Sequence, residues 1–121
     1  MKIKSYKDLL AYQKSYEVAL LIYKVTSAFP SSEMYGLVSQ MRRAAISVPS
    51  NISEGYRRGS QKEYIQFLKI SLGSNAELET QLSLSRDLNC INESKFVEVY
   101  ELNEEVGRLL SSYISRLETS A

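Results

Sequence analysis

The sequence predicts an all-α protein, an up-down-up-down antiparallel four-helix bundle with a proline-kinked second helix. Three observations carry that reading. Apolar residues recur at three- and four-residue spacing along most of the chain, strand-like alternation is absent, and helix breakers fall at regular intervals. With 121 residues the chain forms one domain, residues 1–121, long enough to bury a core.

The first helix is expected to start after Ser5 and run to Ala28, with Asp8 favourably placed against the dipole of its first turn. Its apolar face reads Leu9, Tyr12, Tyr16, Ala19, Leu20, Tyr23 and Thr26. Phe29-Pro30-Ser31-Ser32 ends it, and Ser31 or Ser32 can cap the second helix, from Glu33 to Arg58. That helix holds Gly36 early and Pro49 inside. An interior proline removes one hydrogen bond and clashes with the carbonyl four residues back, costing about 3 kcal/mol. Such a break needs compensation nearby. Gly59 stops the helix, and Ser60-Gln61-Lys62-Glu63 is a capping box that opens the third. The third helix runs to about Leu88, Asn89-Cys90-Ile91-Asn92 makes the turn, and Asn92 caps a fourth helix reaching Glu118.

The last two helices support each other. One shows a heptad seam at Tyr64, Leu68, Ser71, Asn75, Leu78, Leu82 and Ser85, the other at Phe96, Val99, Asn103, Val106, Leu110, Tyr113 and Leu117. A turn centred between Cys90 and Ile91 sets Asn75 opposite Val106, Leu78 opposite Asn103 and Tyr64 opposite Leu117. Small residues then face large ones, as interdigitating layers require. Buried Asn75 and Asn103 are read as fixing register rather than lining a ligand cavity. Across helices 2 and 3, Arg42 falls level with Glu77 and Gly73 with Ile46. An ion pair from Arg42 or Arg43 to Glu77 is expected, with Gly73 letting the backbones approach. The tyrosines at helical spacing read as core or subunit interface. Ile65, Leu72, Val97 and Leu109 flank the seams and are the expected surface for self-association.

Absences exclude much chemistry. There is no histidine and one cysteine, so zinc sites and Ser-His or Cys-His pairs cannot be built within the chain. No GxGxxG or P-loop occurs, and Glu77 and Glu79, two apart on a helix, diverge. No enzyme activity, metal or cofactor is expected. Cys90 cannot form an internal disulfide and reads as a packing residue. Met1-Lys2-Ile3-Lys4-Ser5 is not followed by an apolar stretch of the secretory kind, and no run is long enough to span a membrane. A cytoplasmic location is expected.

Charge is uneven. Residues 42–69 carry six Lys and Arg against two Glu, while residues 76–121 carry nine acidic side chains against four basic. Arg57, Arg58 and Lys62 form a basic cluster at one end of the bundle. They could merely complement the dipole of the second helix. Repeated around an oligomer, they would sum into a field that attracts phosphates, which makes them the candidate nucleic-acid contacts.

One pattern is more specific than any of these. Leu37-x-x-Gln40-x-Arg42-Arg43-Ala44-Ala45-x-Ser47-x-Pro49-Ser50-Asn51-Ile52-x-Glu54-Gly55 is followed by Glu63-x-x-x-Phe67-Leu68 and Gly73-Ser74-x-x-Glu77-Leu78-Glu79-Thr80. Together with Tyr6-Lys7-Asp8-Leu9 and Tyr12-Gln13-Lys14, it resembles the four-helix-bundle proteins encoded in bacterial 23S ribosomal RNA intervening sequences. The resemblance implies a homopentameric ring and no established catalysis. A related branch, the accessory variability proteins of diversity-generating retroelements, is a basic pentamer that binds nucleic acid and a reverse transcriptase. This chain differs from that branch in being nearly neutral, at +1. Arg42, Arg43, Pro49, Asn51, Glu54 and Gly55 match the family motif, which implies a role for them in fold and assembly.

Overall fold

The Ser5 hydroxyl accepts from the Lys7 backbone N–H at 3.1 Å and caps a short 3₁₀ turn, Tyr6–Asp8. The computed structural model describes residues 4–120; the N-terminal Met1-Lys2-Ile3 read above lies outside them. Helix α1 spans Leu10–Thr26, starting later than the pattern suggests. Leu9 turns extended to bury its side chain, and Asp8 accepts from the Lys4 N–H rather than entering the first turn of α1. Thr26 closes the helix by returning its hydroxyl to the Ile22 carbonyl at 2.6 Å.

Pro30 disfavours the helical region for Phe29, which follows the end of α1 and is buried. A 3₁₀ turn, Ser31–Glu33, and a π turn, Met34–Val38, then lead into α2, Ser39–Tyr56. Neither Ser31 nor Ser32 caps it, because the chain enters through the π turn. The α-helix continues through Pro49, whose missing N–H leaves the Ala45 carbonyl without its helical donor. At Gly59 the backbone takes φ +86°, a conformation glycine reaches without steric cost, and Ser60 caps α3, Gln61–Asp87. Half of the capping box forms: Ser60 Oγ accepts from the Glu63 N–H at 3.1 Å, while the Glu63 carboxylate accepts from the Ser60 hydroxyl at 3.2 Å rather than from its backbone N–H. Asn89 supplies the left-handed residue after α3, with φ 61°, and the Cys90 N–H reaches back to the Ser85 carbonyl at 2.8 Å. Asn92 then caps α4, Glu93–Thr119, accepting from the Lys95 N–H at 2.9 Å.

Each helix packs on its chain neighbours, and α1 also packs on α4, which closes an up-down four-helix bundle. The α3–α4 seam is the expected one. Leu68, Asn75, Leu78 and Leu82 of α3 and Phe96, Val99, Asn103, Val106 and Leu110 of α4 are buried, with Ile114 taking the place expected for Tyr113 and Leu117, while the buried hydroxyls of Ser71 and Ser85 turn to Val48 and Met41 of α2. Polar contacts across the seam fall about one turn nearer the connection than a level pairing requires: Asn75 bonds Asn103, and Tyr64 bonds Tyr113. The reason is knob-into-hole packing, which seats a side chain between two residues of the facing helix. Asn75 sits between Asn103 and Gly107, where a Cβ would stand 2.7 Å from its Oδ1.

The inward face of α1 is the expected one in part: Leu9 and Thr26 are buried and Tyr12 and Ala19 half-buried against the core, but the helix is rotated relative to the reading. Ala11, Ser15, Val18, Ile22, Val25 and Thr26 point inward, while Tyr16, Leu20 and Tyr23 are exposed. The helix carries two apolar stripes, and the narrower side chains fit between α2 and α4. Tyrosine, with its polar tip, tolerates the wet side.

Candidate interaction surfaces

The α2–α3 turn lies beside the first turn of the chain and the end of α4. Gln61 ties the end together, its Nε2 donating to the carbonyls of Leu117 at 2.8 Å and Ser120 at 3.1 Å. Arg57, Arg58 and Lys62 are all exposed there, but they are not equivalent. Arg58 donates to Glu54 Oε2 at 2.6 Å and covers the Phe67 ring, 4.8 Å from its centroid. Arg57 covers Tyr6 at 5.4 Å. Among the described residues, Arg57 and Lys62 have no carboxylate within ion-pair distance. The net attraction for an anion therefore rests on two of the three.

Tyrosines pack along the same end. Tyr12, Tyr6, Tyr56, Tyr64 and Tyr113 follow one another edge to face at centroid distances of 5.0, 6.1, 5.8 and 5.9 Å. Tyr64 donates its hydroxyl to Tyr113 at 3.1 Å, and burial together with that neighbour raises its pKa well above the ordinary value. These rings are occupied by one another and by arginine, since Arg116 also lies over Tyr113 at 5.8 Å. The end is thus a charged surface rather than a base-stacking platform.

The motif around Pro49 knits three helices. Arg42 turns toward α1, its Nε donating to Thr26 Oγ1 at 3.0 Å and its guanidinium lying 4.5 Å from the Tyr23 centroid. The ion pair expected with Glu77 does not form from Arg42 or Arg43. Arg43 and Glu77 instead border one small polar recess of about 110 Å³ with Ser47 and Ser74. The level was right, but hydroxyls span the gap: Ser74 bonds Ser47 at 2.8 Å and Ser71 donates to the Val48 carbonyl at 2.8 Å. Asn51 donates to the Ser47 carbonyl at 2.8 Å, and Glu54 holds Arg58. These bonds flank the backbone that Pro49 weakens. At Gly55 α2 and α3 approach so closely that a Cβ there would stand 2.5 Å from the Cβ of Phe67. Gly73 has no such role; a Cβ added there meets nothing within 4 Å.

An exposed apolar surface lies elsewhere. Tyr12, Tyr16, Leu20, Tyr23, Ile46 and Pro49 line a groove of about 300 Å³ between α1 and α2. A second recess of about 310 Å³ shares Tyr23 and Ile46 and continues to Met34 and Tyr35. Leu20 is 62% exposed and Tyr35 96%, and Tyr16, Tyr23, Met34 and Ile46 each more than 40%. At roughly 200 Å² for a fully exposed large side chain, these six leave on the order of 700 Å² of mainly apolar surface open. A typical monomer's largest patch is about 300–600 Å². Of the flanking residues expected to mediate association, Ile65, Leu72 and Leu109 are half-buried against the core, and Val97 alone is exposed. Doubled apolar stripes on α1 were the sequence signal for this surface, since one face of a helix is enough for a small core.

Among the described residues, no three His, Cys, Asp or Glu side chains gather into a metal-holding group, and no helix is long and apolar enough to cross a membrane. The sequence profile of one protein family, the 23S rRNA-intervening sequence proteins, matches residues 7–112. The chain belongs to that family. A solved structure of similar fold is a protein of unknown function from the S23 ribosomal protein family of Bacteroides thetaiotaomicron. It is 25% identical, with a TM-score of 0.82 over 90% of this chain and 98% of that one. No curated protein matches the chain. Both the basic turn and the α1–α2 groove lie inside the span that defines this intervening-sequence protein as a family member.

Proposed function

We propose that this intervening-sequence family member is a non-enzymatic cytoplasmic binding protein that assembles into the pentameric ring its resemblance implies. In this reading it holds structured RNA, or a protein that processes nucleic acid, at its basic end, with no cofactor. The α1–α2 groove carries the proposal, because an apolar surface of that size is otherwise unusual on a monomer. Self-association repeats Arg57 and Lys62 once per copy around one end, and the summed field favours phosphate.

A second reading, an interaction scaffold without nucleic-acid affinity, draws on the Arg58–Glu54 bond, which neutralises part of the cluster within each copy. Purification from cells at low salt, followed by sequencing of bound RNA, identification of bound proteins and light scattering, separates the two. A particle several times the 13.8 kDa chain mass that carries RNA supports the first reading. The same particle with protein partners alone supports the second, and a monomer without partners removes both.

A further inference from the structure

Asn75 keeps one oxygen free. Its Nδ2 donates to the carbonyl and to Oδ1 of Asn103, which fixes the way its amide points. Its own Oδ1 turns the other way, onto Gly107, and accepts from no donor among the described residues. The residue is only 4% exposed, but the oxygen is not sealed in. Among the described residues Gln81 Oε1 is the one fully buried side-chain polar atom without a partner, so the unpartnered Asn75 Oδ1 reaches solvent. An amide oxygen this deep without a donor is under-satisfied, and a ligand that donates to it gains what the fold leaves unmade. Gly107 keeps the opening, since a side chain there would cover the oxygen.

Asn75 and Gly107 lie in a groove of about 490 Å³ along the α3–α4 seam, within the roughly 300–1,000 Å³ of small-molecule sites. Leu72 and Ala76 give its α3 wall an apolar strip, and Glu79 and Glu104 face each other across it. Glu79 Oε1 accepts from the Tyr100 hydroxyl at 2.9 Å. That bond, then burial and the charges of Glu79 and Glu104, raise the Tyr100 pKa against the opposing effect of Arg86, so both carboxylates act on one spot. Neither has a basic side chain within ion-pair distance among the described residues. They also belong to the acidic half of the chain, where residues 76–121 carry nine acidic side chains against four basic. Arg108 borders the groove one helical turn beyond Glu104, without a carboxylate partner of its own.

We propose that the α3–α4 groove binds a primary ammonium group carried on a short aliphatic stem. An ammonium has three donors and no acceptor, and the groove answers with three acceptors, the carboxylates of Glu79 and Glu104 and the free oxygen of Asn75. Bonds from a charged donor to a carboxylate are roughly twice as strong as neutral ones. The stem covers Leu72 and Ala76. A divalent metal matches less well, because no three His, Cys, Asp or Glu side chains gather among the described residues and Arg108 repels a second positive charge. An anion meets two carboxylates of its own sign. The groove uses a different pair of helices from the α1–α2 surface, so the site needs neither self-association nor RNA.

The test titrates the isotope-labelled full chain with butylamine, putrescine and γ-aminobutyrate, followed by amide NMR. Butanol, and sodium chloride at equal ionic strength, serve as controls. The side-chain amide of Asn75 and the backbone amides of Ala76, Glu104 and Gly107 should shift saturably with the amines and not with butanol or salt. Glu104→Gln removes an exposed carboxylate that makes no contact the fold depends on, so helicity by circular dichroism should stay as it is while amine affinity falls about tenfold. The order of the three amines identifies the far end of the ligand: tighter γ-aminobutyrate means that Arg108 takes an anionic end, and equal affinities mean that the ammonium alone is recognised. Either order supports the site. Shifts that salt reproduces, equal binding of butanol, unchanged affinity in Glu104→Gln, or no saturable shift at millimolar amine each overturn it.

Discussion

Asn75 and Asn103 hold each other by reciprocal hydrogen bonds in the centre of the α3–α4 seam. Asn75 Nδ2 donates to the carbonyl of Asn103 at 2.8 Å and to its Oδ1 at 2.9 Å, and Asn103 Nδ2 donates to the carbonyl of Asn75 at 3.1 Å. Both residues are buried, so each amide depends on the other for its partners. Asn75→Ala should cost about 1–3 kcal/mol, because it strands polar atoms of Asn103 away from water. Replacing both by alanine should cost less than the sum, with a coupling of about 0.5–3 kcal/mol. Urea denaturation of the two single variants and the double variant measures this. Additive losses would mean that the pair does not act as a unit.

Gly55 gives the next test, at a close approach of α2 to α3. A Cβ there would stand 2.5 Å from Phe67 Cβ and 3.2 Å from Tyr64 Cδ1. Phe67 Cβ is fixed to the backbone of α3, so no rotamer change relieves the clash and the helices must separate. Gly55→Ala should therefore destabilise by about 1–3 kcal/mol, although alanine is the better helix former by about 1 kcal/mol. Thermal and urea midpoints report the sign. A more stable variant would show that the helices part easily.

How much of this was legible in the residues differs from helix to helix. The α3–α4 seam could be read because each helix has one apolar stripe, interrupted by the asparagines that meet across it. The capping residues Ser60 and Asn92 were equally plain, since an N-cap is a local property of a few residues. Helix α1 was not legible. Tyr12, Tyr16 and Tyr23 have the spacing of a core face, and so do Ala11, Ser15, Val18 and Ile22. Which stripe turns inward depends on the width of the space between α2 and α4, which no local pattern encodes. Arg42 was missed for a different reason: its register was read across helices 2 and 3 only, while its partners Thr26 and Tyr23 lie on α1. The Glu54–Arg58 pair, by contrast, stands at four-residue helical spacing, a signal the sequence carried but the reading of Arg58 as a free basic residue passed over.

Tyr64 makes stability depend on pH. Its hydroxyl is held protonated in the fold, chiefly by burial and then by the bond to Tyr113, above the ordinary 10.0 of the unfolded chain. The unfolded state therefore loses this proton first, and the stabilisation, complete below pH 10, is lost as pH rises beyond it. Because Tyr64 is only half-buried, its slope should fall short of the roughly 1.4 kcal/mol per pH unit of one whole proton. Urea midpoints should drop above pH 10 in the native chain and drop less in Tyr64→Phe. Parallel curves would show that Tyr64 does not carry the effect.

The basic end makes the last prediction. Arg58 is bonded to Glu54 at 2.6 Å, whereas Arg57 and Lys62 face solvent without a carboxylate partner among the described residues. If the end binds a phosphate backbone, Arg57→Glu with Lys62→Glu should weaken RNA binding far more than Arg58→Ala does. Affinity should fall steeply with salt in the native protein, because each neutralised phosphate releases counterions, and the slope should shrink by about 0.7–0.9 for each single-strand or duplex contact removed. Light scattering should find the particle size unchanged, since these residues lie outside the α1–α2 groove. Fluorescence anisotropy with a labelled RNA hairpin, titrated from low to physiological salt, reads both the affinity and the slope. No binding even at low salt, where phosphate attraction is strongest, would leave the scaffold reading in its place.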